Sequence, residues 1–316
     1  MKFIKLFKKV HGIDVLKEYL HAHVLFPAMM NVLLNGTSKK SLEIVRLTTS
    51  NKIVSRLRKK YKNYITEYVS KDKQNTCDNQ RNSNKIWFCW LQGIDSAPYI
   101  VKKCYKSLKE NITDRRIEVI TSENYKKFVS FPDYIQLKID NGTISKTHFS
   151  DLLRLELLVK YGGTWIDATV YCSGSNIPKY YLDSDLFLFQ NLKPGLDGQA
   201  TRISSWFITA KSNNKMLKLT RALLYEYWKK NSRLIDYFLF HDFFELAIEA
   251  YPDEWKKVIP IENGMPHILL LRLFSKYNAE ILNATKAEIP FHKLTYKFDE
   301  NKTKLKGTYF SKIFGD

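Results

Sequence analysis

The sequence predicts an α/β protein whose core is a mainly parallel sheet, preceded by a helical and basic extension. From residue 85 onward, apolar runs of strand length alternate with helix-like segments. This order favours a parallel sheet that holds ligands at the carboxyl ends of its strands. The first 80 residues carry helical patterning and many lysines instead. We therefore expect an extension over residues 1–80 and an α/β domain over residues 81–316.

The extension begins with the amphipathic, basic segment MKFIKLFKKVHGIDVLKEYL and continues with helix-favouring sequence over residues 42–57. It then contains the cationic run SRLRKKYKNYI, and the polar stretch 70–84 is the expected hinge. No apolar run approaches the roughly 20 residues that cross a bilayer, and the N-terminus lacks a convincing signal peptide. We therefore expect a cytoplasmic protein.

The net charge of +19, from 51 basic and 32 acidic residues, would draw the protein to anionic lipid. A basic surface also suits nucleic acid, but zinc-finger spacing, RNA-binding signatures and helix-turn-helix patterns are missing, so we expect no nucleic-acid partner. The alternative to membrane contact is that these basic residues only form a solvated surface. With 44% hydrophobic residues the chain can bury a substantial core. The four cysteines form no CxxC pair and are interpreted as reduced packing residues: Cys77, Cys89, Cys104 and Cys172.

Four short segments open the α/β domain. Residues 85–93, KIWFCWLQG, are an apolar run that ends in glycine, and residues 98–108 are helix-like. Such a pair is typical of the first strand and helix of a nucleotide-binding unit. RIEVI at 116–120 predicts a second strand, and residues 124–128 predict a short helix.

The central stretch of the chain predicts a helix and a strand joined by glycines. Residues 150–160 are apolar on most faces, as in a helix buried against a sheet, yet Asp151 and Arg154 share a face of its first turn. The helix ends at a Tyr-Gly-Gly signal, and residues 164–171 predict a strand with Asp167 in its middle. Because a carboxylate inside a sheet is costly, we expect Asp167 at a strand end or in a cleft.

Two strands and two helices complete the predicted domain. Residues 186–190 and 203–210 predict strands, and residues 215–230 have helical periodicity. Residues 237–250 predict an aromatic-rich helix that contains His241. A histidine followed by an aspartate suggests catalysis, although a buried structural histidine is the more common outcome.

These residues resemble a known family. The run SDLLR at 150–154, then YGG, Trp165 and Asp167, is similar to the signature SDxxRxxxLxxYGGxYxDxD of sugar-nucleotide-dependent glycosyltransferases. That group includes capsular polysaccharide synthesis proteins, yeast-type mannosyltransferases and glucosylating toxins. YGGTWIDATV, with FHKLTYK at 291–297, looks most like the capsular polysaccharide branch. The resemblance covers roughly residues 85–300 and implies a GT-A-like, Rossmann-type nucleotide-sugar-binding fold.

The resemblance also implies roles for individual residues. Asp151 and Arg154 would contact the donor sugar, and Asp167 would approach the nucleotide ribose and a metal ion. Thr169 stands where the broader family has its principal metal-binding Asp. Asp167 with Thr169 could still hold Mg²⁺ or Mn²⁺ through the oxygen ligands that such ions prefer. His292 is the positional candidate for a further metal ligand, and Lys293 and Lys297 would neutralise phosphate.

Further contacts follow from the same resemblance. Trp90 would stack on the uracil of the donor, with Gln92 and Gly93 presenting backbone near it, whereas Trp87 is interpreted as a core residue. Core packing is the alternative for Trp90 as well. The remaining substrate-side candidates are Trp165 and Thr169 in the central motif, Ser204, Ser205 and Trp206 on the acceptor side, and His241.

The implied activity is that of a retaining glycosyltransferase in capsular polysaccharide synthesis. It would move galactose or glucose from a UDP-hexose to a lipid-linked saccharide acceptor at the inner face of the plasma membrane, forming an α-linkage. The missing second carboxylate leaves open a different chemistry, such as sugar-phosphate transfer. A further alternative is a basic membrane- or nucleic-acid-binding scaffold in which Asp151 and Arg154 are a structural ion pair.

Overall fold

A computed structural model describes residues 19–20, 22–74, 80–192 and 200–315. The N-terminal amphipathic prediction over residues 1–18, Cys77 and the middle of the expected hinge lie outside the described residues.

The described N-terminal region is helical. Helix α1 (Leu25–Asn35) and the long helix α2 (Lys39–Gln74) are joined by a turn at Gly36. One face of α2 buries Ile53, Leu57 and Tyr61 in the same hydrophobic core that contains residues of the α/β domain. The helical part of the prediction is confirmed for these residues, and α2 reaches through the first part of the expected hinge.

A five-stranded sheet forms the centre of the domain, and its strands are β1 (Lys85–Cys89), β2 (Arg116–Ile120), β3 (Gly163–Ile166), β5 (Leu186–Gln190) and β6 (Ile203–Ala210). Their order in the sheet is β2-β1-β3-β6-β5. Strand β1 pairs in parallel with β2 and β3, whereas β6 is antiparallel to both β3 and β5. Four of these five strands therefore run in one direction, which confirms the predicted α/β class with a mainly parallel sheet.

Helices cover both faces of the sheet, as a mainly parallel sheet requires. The five predicted helices are confirmed, with shifts of up to four residues at their ends. They are α3 (Tyr99–Asn111), α4 (Tyr125–Phe128), α6 (Lys146–Tyr161), α8 (Lys215–Lys230) and α9 (Leu239–Ala250). The other helices of this domain were not predicted from the sequence, and they are α5 (Asp133–Asp140), α7 (Tyr180–Asp183), α10 (Pro252–Trp255), α11 (Ile268–Arg272), α12 (Ala279–Glu288), α13 (Glu300–Thr303) and α14 (Tyr309–Ile313). Single 3₁₀ turns occupy Ile94–Ser96 and Met265–His267.

The single strand predicted over residues 164–171 is wrong. Strand β3 ends at Ile166, and a separate strand β4 (Val170–Cys172) pairs with β7 (Phe291–Lys293) in a second, two-stranded sheet. The chain leaves the central sheet at Asp167, whose carbonyl accepts a hydrogen bond from the backbone N–H of Val170 at 3.0 Å. This turn places the Asp167 carboxylate at a strand end, as its cost inside a sheet led us to expect.

Two hydrophobic clusters pack on the opposite faces of the central sheet. Helix α6 is buried along most of its length in one cluster, with Trp87 and Trp165 from the sheet, and Trp87 is fully buried as predicted. The other cluster contains Phe88, Phe207 and helix α3. Cys89, Cys104 and Cys172 are free thiols, which agrees with the prediction that they are reduced.

Candidate active site

Helix α6 and strand β3 bring three charged side chains together at one edge of the central sheet. The chain reverses at Gly162, so the start of α6 and the end of β3 lie at the same edge of the sheet. Asp151 precedes Gly162 by 11 helical residues, a distance of about 16 Å. Asp167 follows it by five largely extended residues, also about 16 Å. The predicted convergence of Asp151, Arg154 and Asp167 is therefore a consequence of the spacing.

Two glycines make this reversal. Gly162 and Gly163 have φ angles of 70° and 94°, values that residues with a side chain rarely adopt. A Cβ atom at Gly163 would lie 2.4 Å from the carbonyl oxygen of Lys85, and one at Gly162 would lie 2.7 Å from the amide nitrogen of Ser212. The Tyr-Gly-Gly motif is thus required both for the backbone conformation and for the close packing of the turn.

Arg154 is the centre of the charged cluster. Its Nη2 atom lies 3.3 Å from Asp151 Oδ1 and 3.5 Å from Asp167 Oδ1, so one guanidinium contacts both carboxylates. Nη1 donates to the carbonyl oxygen of Ser205, and the guanidinium carbon lies 4.9 Å from the centre of the Trp165 ring. Only 5% of Arg154 is exposed. A fixed, planar cation of this kind orients the two carboxylates.

Trp165 supports the cluster from below. It is 1% exposed, and its indole N–H donates to Asp167 Oδ1 at 2.9 Å. Trp165 therefore packs in the core against Arg154 and Asp167, where it positions both side chains. It does not lie on the substrate side that the resemblance implied. The Asp167 side chain remains 27% exposed, so its carboxylate is open to solvent.

A lysine completes the cluster from the second sheet. Lys293 Nζ donates to Thr169 Oγ1 at 2.6 Å and lies 3.3 Å from Asp167 Oδ2. The backbone N–H of Leu294 also donates to the Thr169 carbonyl, at 2.9 Å. These contacts hold the end of β7 against the turn that follows β3. Lys293 therefore belongs to the charged cluster, and its role toward phosphate stays a prediction.

His292 is directed elsewhere. Neighbouring residues of a strand point to opposite faces, so the contact of Lys293 with Asp167 turns His292 away from it. His292 is fully buried, with Nε2 at 2.9 Å from Ser173 Oγ, and burial lowers its pKa to about 4. This placement does not support the prediction that His292 binds a metal ion together with Asp167.

Asp151 is a buried carboxylate that contacts Arg154. It is 7% exposed, and burial acts to raise its pKa, but Arg154 and His148 outweigh that effect and hold the pKa below its ordinary value. His148 Nδ1 lies 3.5 Å from Asp151 Oδ2, which is too long for a good hydrogen bond. Trp228 donates its indole N–H to His148 Nε2 at 2.9 Å, which leaves the ring proton on Nδ1, facing Asp151.

Helix α9 brings two more side chains to the cluster. Burial lowers the pKa of His241 to about 4, while the negative charge of Asp151 acts in the opposite direction. Tyr237, just before α9, interacts with the charges of Asp151 and Asp167 and stays exposed. His241 follows Phe240, whose ring centre lies 5.8 Å from the guanidinium carbon of Arg154. Its role toward a substrate stays a prediction.

The proposed nucleotide-binding residues lie at the carboxyl end of β1. Trp90 is half-buried, its ring packs edge-on against Tyr296 at 5.4 Å, and its indole N–H has no hydrogen-bond partner in the described structure. Gln92 is exposed beside the turn at Gly93, and Lys297 is exposed with its ammonium over the Tyr296 ring. This edge also holds Cys89, whose thiol has its pKa raised to about 12 by burial.

The residues assigned to the acceptor side differ in exposure. Trp206 is 6% exposed, stacks on Phe189 at 4.4 Å and donates to Asn263 Oδ1 at 2.8 Å, so it packs as a core residue and does not face an open acceptor site. Ser204 is also buried. Ser205 is partly exposed, and it reaches the cluster through its carbonyl oxygen, which binds Arg154.

The residues around Asp167 suit a divalent metal ion poorly. Both carboxylate oxygens of Asp167 already contact cationic groups, and Thr169 Oγ1 accepts from Lys293. Across the described ranges, no three His, Cys, Asp or Glu side chains are grouped as a metal site would require. Metal ions are held by several oxygen ligands and are repelled by neighbouring ammonium and guanidinium groups.

His148, Phe240, Tyr237 and Tyr296 were not among the residues singled out from the sequence. Only His148 carried a usable signal, its spacing of three from Asp151 on one helix.

Two cavities lie apart from the cluster. One, of about 440 Å³, is lined by residues such as Gly163 at the opposite edge of the sheet, and the other, of about 750 Å³, includes Glu156.

Comparison with known proteins gives three findings. A family described as "Capsular polysaccharide synthesis protein" matches residues 35–313. No curated protein matches the chain. A solved structure described as "PaToxG Glycosyltransferase" is similar to this chain at 14% sequence identity, covering 85% of this chain and 95% of that chain with a TM-score of 0.38.

The family match extends from helix α2 to the last helix and includes every residue of the charged cluster. This chain belongs to the capsular polysaccharide synthesis protein family.

Proposed function

We propose that the protein is a retaining glycosyltransferase that moves galactose or glucose from a UDP-hexose to a saccharide acceptor. The observation that supports it best is the contact of one guanidinium, Arg154, with two carboxylates, Asp151 and Asp167, at the carboxyl edge of a mainly parallel sheet. Ligands of such sheets bind at this edge. Membership of the capsular polysaccharide family supports the same assignment.

Each residue of the charged cluster has its own role in the proposed reaction. Asp167 is the more exposed carboxylate and is available to ligand hydroxyls, whereas Arg154 and Trp165 keep it oriented. Asp151 and Arg154 orient the sugar so that its anomeric carbon faces the acceptor. Lys293 supplies positive charge toward the departing diphosphate. In a front-face reaction the departing phosphate itself accepts the proton of the acceptor hydroxyl, and this gives an α-linked product from an α-linked donor.

The test incubates the protein with a panel of UDP-, GDP- and CMP-sugars and measures the release of the nucleotide, which reports both donor hydrolysis and transfer. We expect release from UDP-glucose or UDP-galactose. Asp167→Asn should abolish release while leaving the thermal unfolding midpoint near that of the wild type, and the exposed Asp253→Asn serves as the matched control. Full activity of Asp167→Asn, or release from none of the donors, would reject the proposal.

We also propose that the N-terminal helices rest on an anionic membrane, where a lipid-linked acceptor is found. Helix α1 has no charged residue, and it exposes Phe26, Leu33 and Leu34 by 75%, 76% and 78%. The neighbouring helix α2 carries 11 Lys and Arg against 3 Asp and Glu. An apolar face beside a basic one is the pattern of a helix that lies in the membrane interface. None of the described helices is long and apolar enough to span a membrane.

Vesicle flotation tests this surface. We expect the protein to float with vesicles of phosphatidylcholine mixed with phosphatidylglycerol, and to float less with phosphatidylcholine alone. Leu33→Glu should reduce flotation, whereas Leu271→Glu, a change at a leucine that is 80% exposed in the α/β domain, should not. Equal flotation of the two variants would show that α1 is not the binding surface.

A further inference from the structure

One feature of the site distinguishes it from a metal site. The two positions of the family's Asp-x-Asp segment are Asp167 and Thr169 here, and one lysine from a distant strand contacts both of them. The Lys293 ammonium lies 2.6 Å from the Thr169 hydroxyl and 3.3 Å from the Asp167 carboxylate. A cation is thus held between the two side chains that would share a metal ion.

The local charges balance without a further cation. Asp151 and Asp167 supply two negative charges, and Arg154 and Lys293 supply two positive charges within 3.5 Å of them. A divalent ion at Asp167 would face both of these cations across a short distance. A second carboxylate at position 169 would offset that repulsion, but threonine carries no charge.

The Lys293 side chain is 20% exposed, so its ammonium reaches solvent beside Asp167. It is fixed from two sides, because β7 pairs with β4 at Val170 and the backbone of Leu294 binds Thr169. A positioned cation that is open to solvent on one side is suited to an anionic ligand. Phosphate oxygens are the anionic groups of a nucleoside diphosphate sugar.

Taking the proposed glycosyltransferase function as given, we propose that Lys293 takes the place of the divalent metal ion and that transfer does not require a metal. In this reaction the bond between the anomeric carbon and the diphosphate oxygen breaks, and its electron pair stays on the diphosphate. The acceptor oxygen bonds to the anomeric carbon, and its proton passes to the departing diphosphate. The Lys293 ammonium neutralises the charge that develops on the leaving group.

The first test is nucleotide binding, which needs no knowledge of the acceptor. Calorimetry with UDP and UMP is carried out in EDTA and in manganese, on the wild type, Lys293→Met, Lys293→Arg and the exposed control Lys127→Met. We expect UDP binding by the wild type to be the same in both conditions. Lys293→Met should weaken UDP binding about 10- to 100-fold and UMP binding much less, because its lost contact is to the diphosphate.

Several results would overturn the proposal. They are UDP binding by the wild type only with manganese, no UDP binding in either condition, or equal losses of UDP and UMP affinity in Lys293→Met. The last result would identify Lys293 as a purely structural partner of Asp167. We expect Lys293→Arg to retain more UDP affinity than Lys293→Met, since the charge is kept.

The second test measures transfer. Wild-type activity should survive EDTA, and Thr169→Asp combined with Lys293→Ala should require manganese, because it creates two carboxylates and removes the competing cation. Wild-type activity that EDTA abolishes and manganese restores would reject the metal-free reaction while leaving the glycosyltransferase assignment intact. UDP binding that depends on Lys293 without any sugar transfer would support the role of Lys293 and reject the assignment.

Discussion

His292 makes the stability of the fold dependent on pH, and a substitution there tests whether it is a core residue or a metal ligand. Burial lowers its pKa from 6.5 to about 4, and the nearby charge of Lys286 acts in the same direction. Between these two values the unfolded chain binds a proton that the folded protein excludes. Stability from His292 is therefore complete above pH 6.5 and is lost as the pH falls toward 4.

The magnitude follows from the size of the shift. A difference of about 2.5 pKa units corresponds to roughly 3 kcal/mol in full, of which about 2 kcal/mol is lost between pH 7 and pH 5. His292→Leu removes the titrating group but also loses the contact with Ser173, so it is expected to be less stable than the wild type at pH 8. The difference between the two proteins should shrink by about 2 kcal/mol on going to pH 5.

The assay is urea unfolding followed by tryptophan fluorescence at pH 5, 6, 7 and 8, with and without EDTA. His241 titrates in the same direction, but it is present in both proteins and its contribution cancels. The exposed His23→Asn is the control, with asparagine chosen because φ is 52° at that position. Parallel stability curves for wild type and His292→Leu would refute the reasoning, and so would a loss of wild-type stability in EDTA that His292→Leu does not share.

Three further predictions concern the turn, a buried acid and the central cation. Gly163→Ala should prevent soluble expression or lower the unfolding midpoint sharply because its Cβ meets the Lys85 carbonyl, whereas Gly142→Ala, at a φ of 76° with no atom within 4 Å, should cost only about 1 kcal/mol of backbone strain. Asp242 is fully buried with no hydrogen-bond partner for its carboxylate in the described structure, and burial raises its pKa well above the ordinary value. Wild-type stability should therefore fall as the pH rises above that ordinary value, and Asp242→Asn should flatten this dependence in urea titrations. Arg154→Lys should reduce kcat at least about 100-fold at nearly unchanged KM, since an ammonium cannot contact both carboxylates and stack on Trp165; wild-type kcat would contradict this.

Much of the fold could be predicted from local patterns. The strands at 116–120, 186–190 and 203–210 agree with the structure in both bounds, because short segments rich in β-branched and aromatic residues are typical of strands. The convergence of Asp151, Arg154 and Asp167 follows from a helix, two glycines and a strand that are contiguous in the chain. Local sequence contains this information because every interaction involved spans fewer than 20 residues.

Other features depended on contacts between distant segments. The break of the predicted strand at Asp167 arises because the chain leaves one sheet to pair with β7, more than 120 residues later. The burial of Trp165 and Trp206 depends on helices and strands that pack on them from elsewhere in the chain.

The sequence by itself determined the α/β order of elements, the glycine reversal and the charged cluster at the edge of the sheet. Only the tertiary structure decided which residue of FHKLTYK faces Asp167. The pairing of Val170 with Lys293 places the lysine at the cluster and turns His292 into the core. Side chains alternate along a strand, so a shift of one residue in this pairing would exchange them, and a local pattern of residues contains no information on that register.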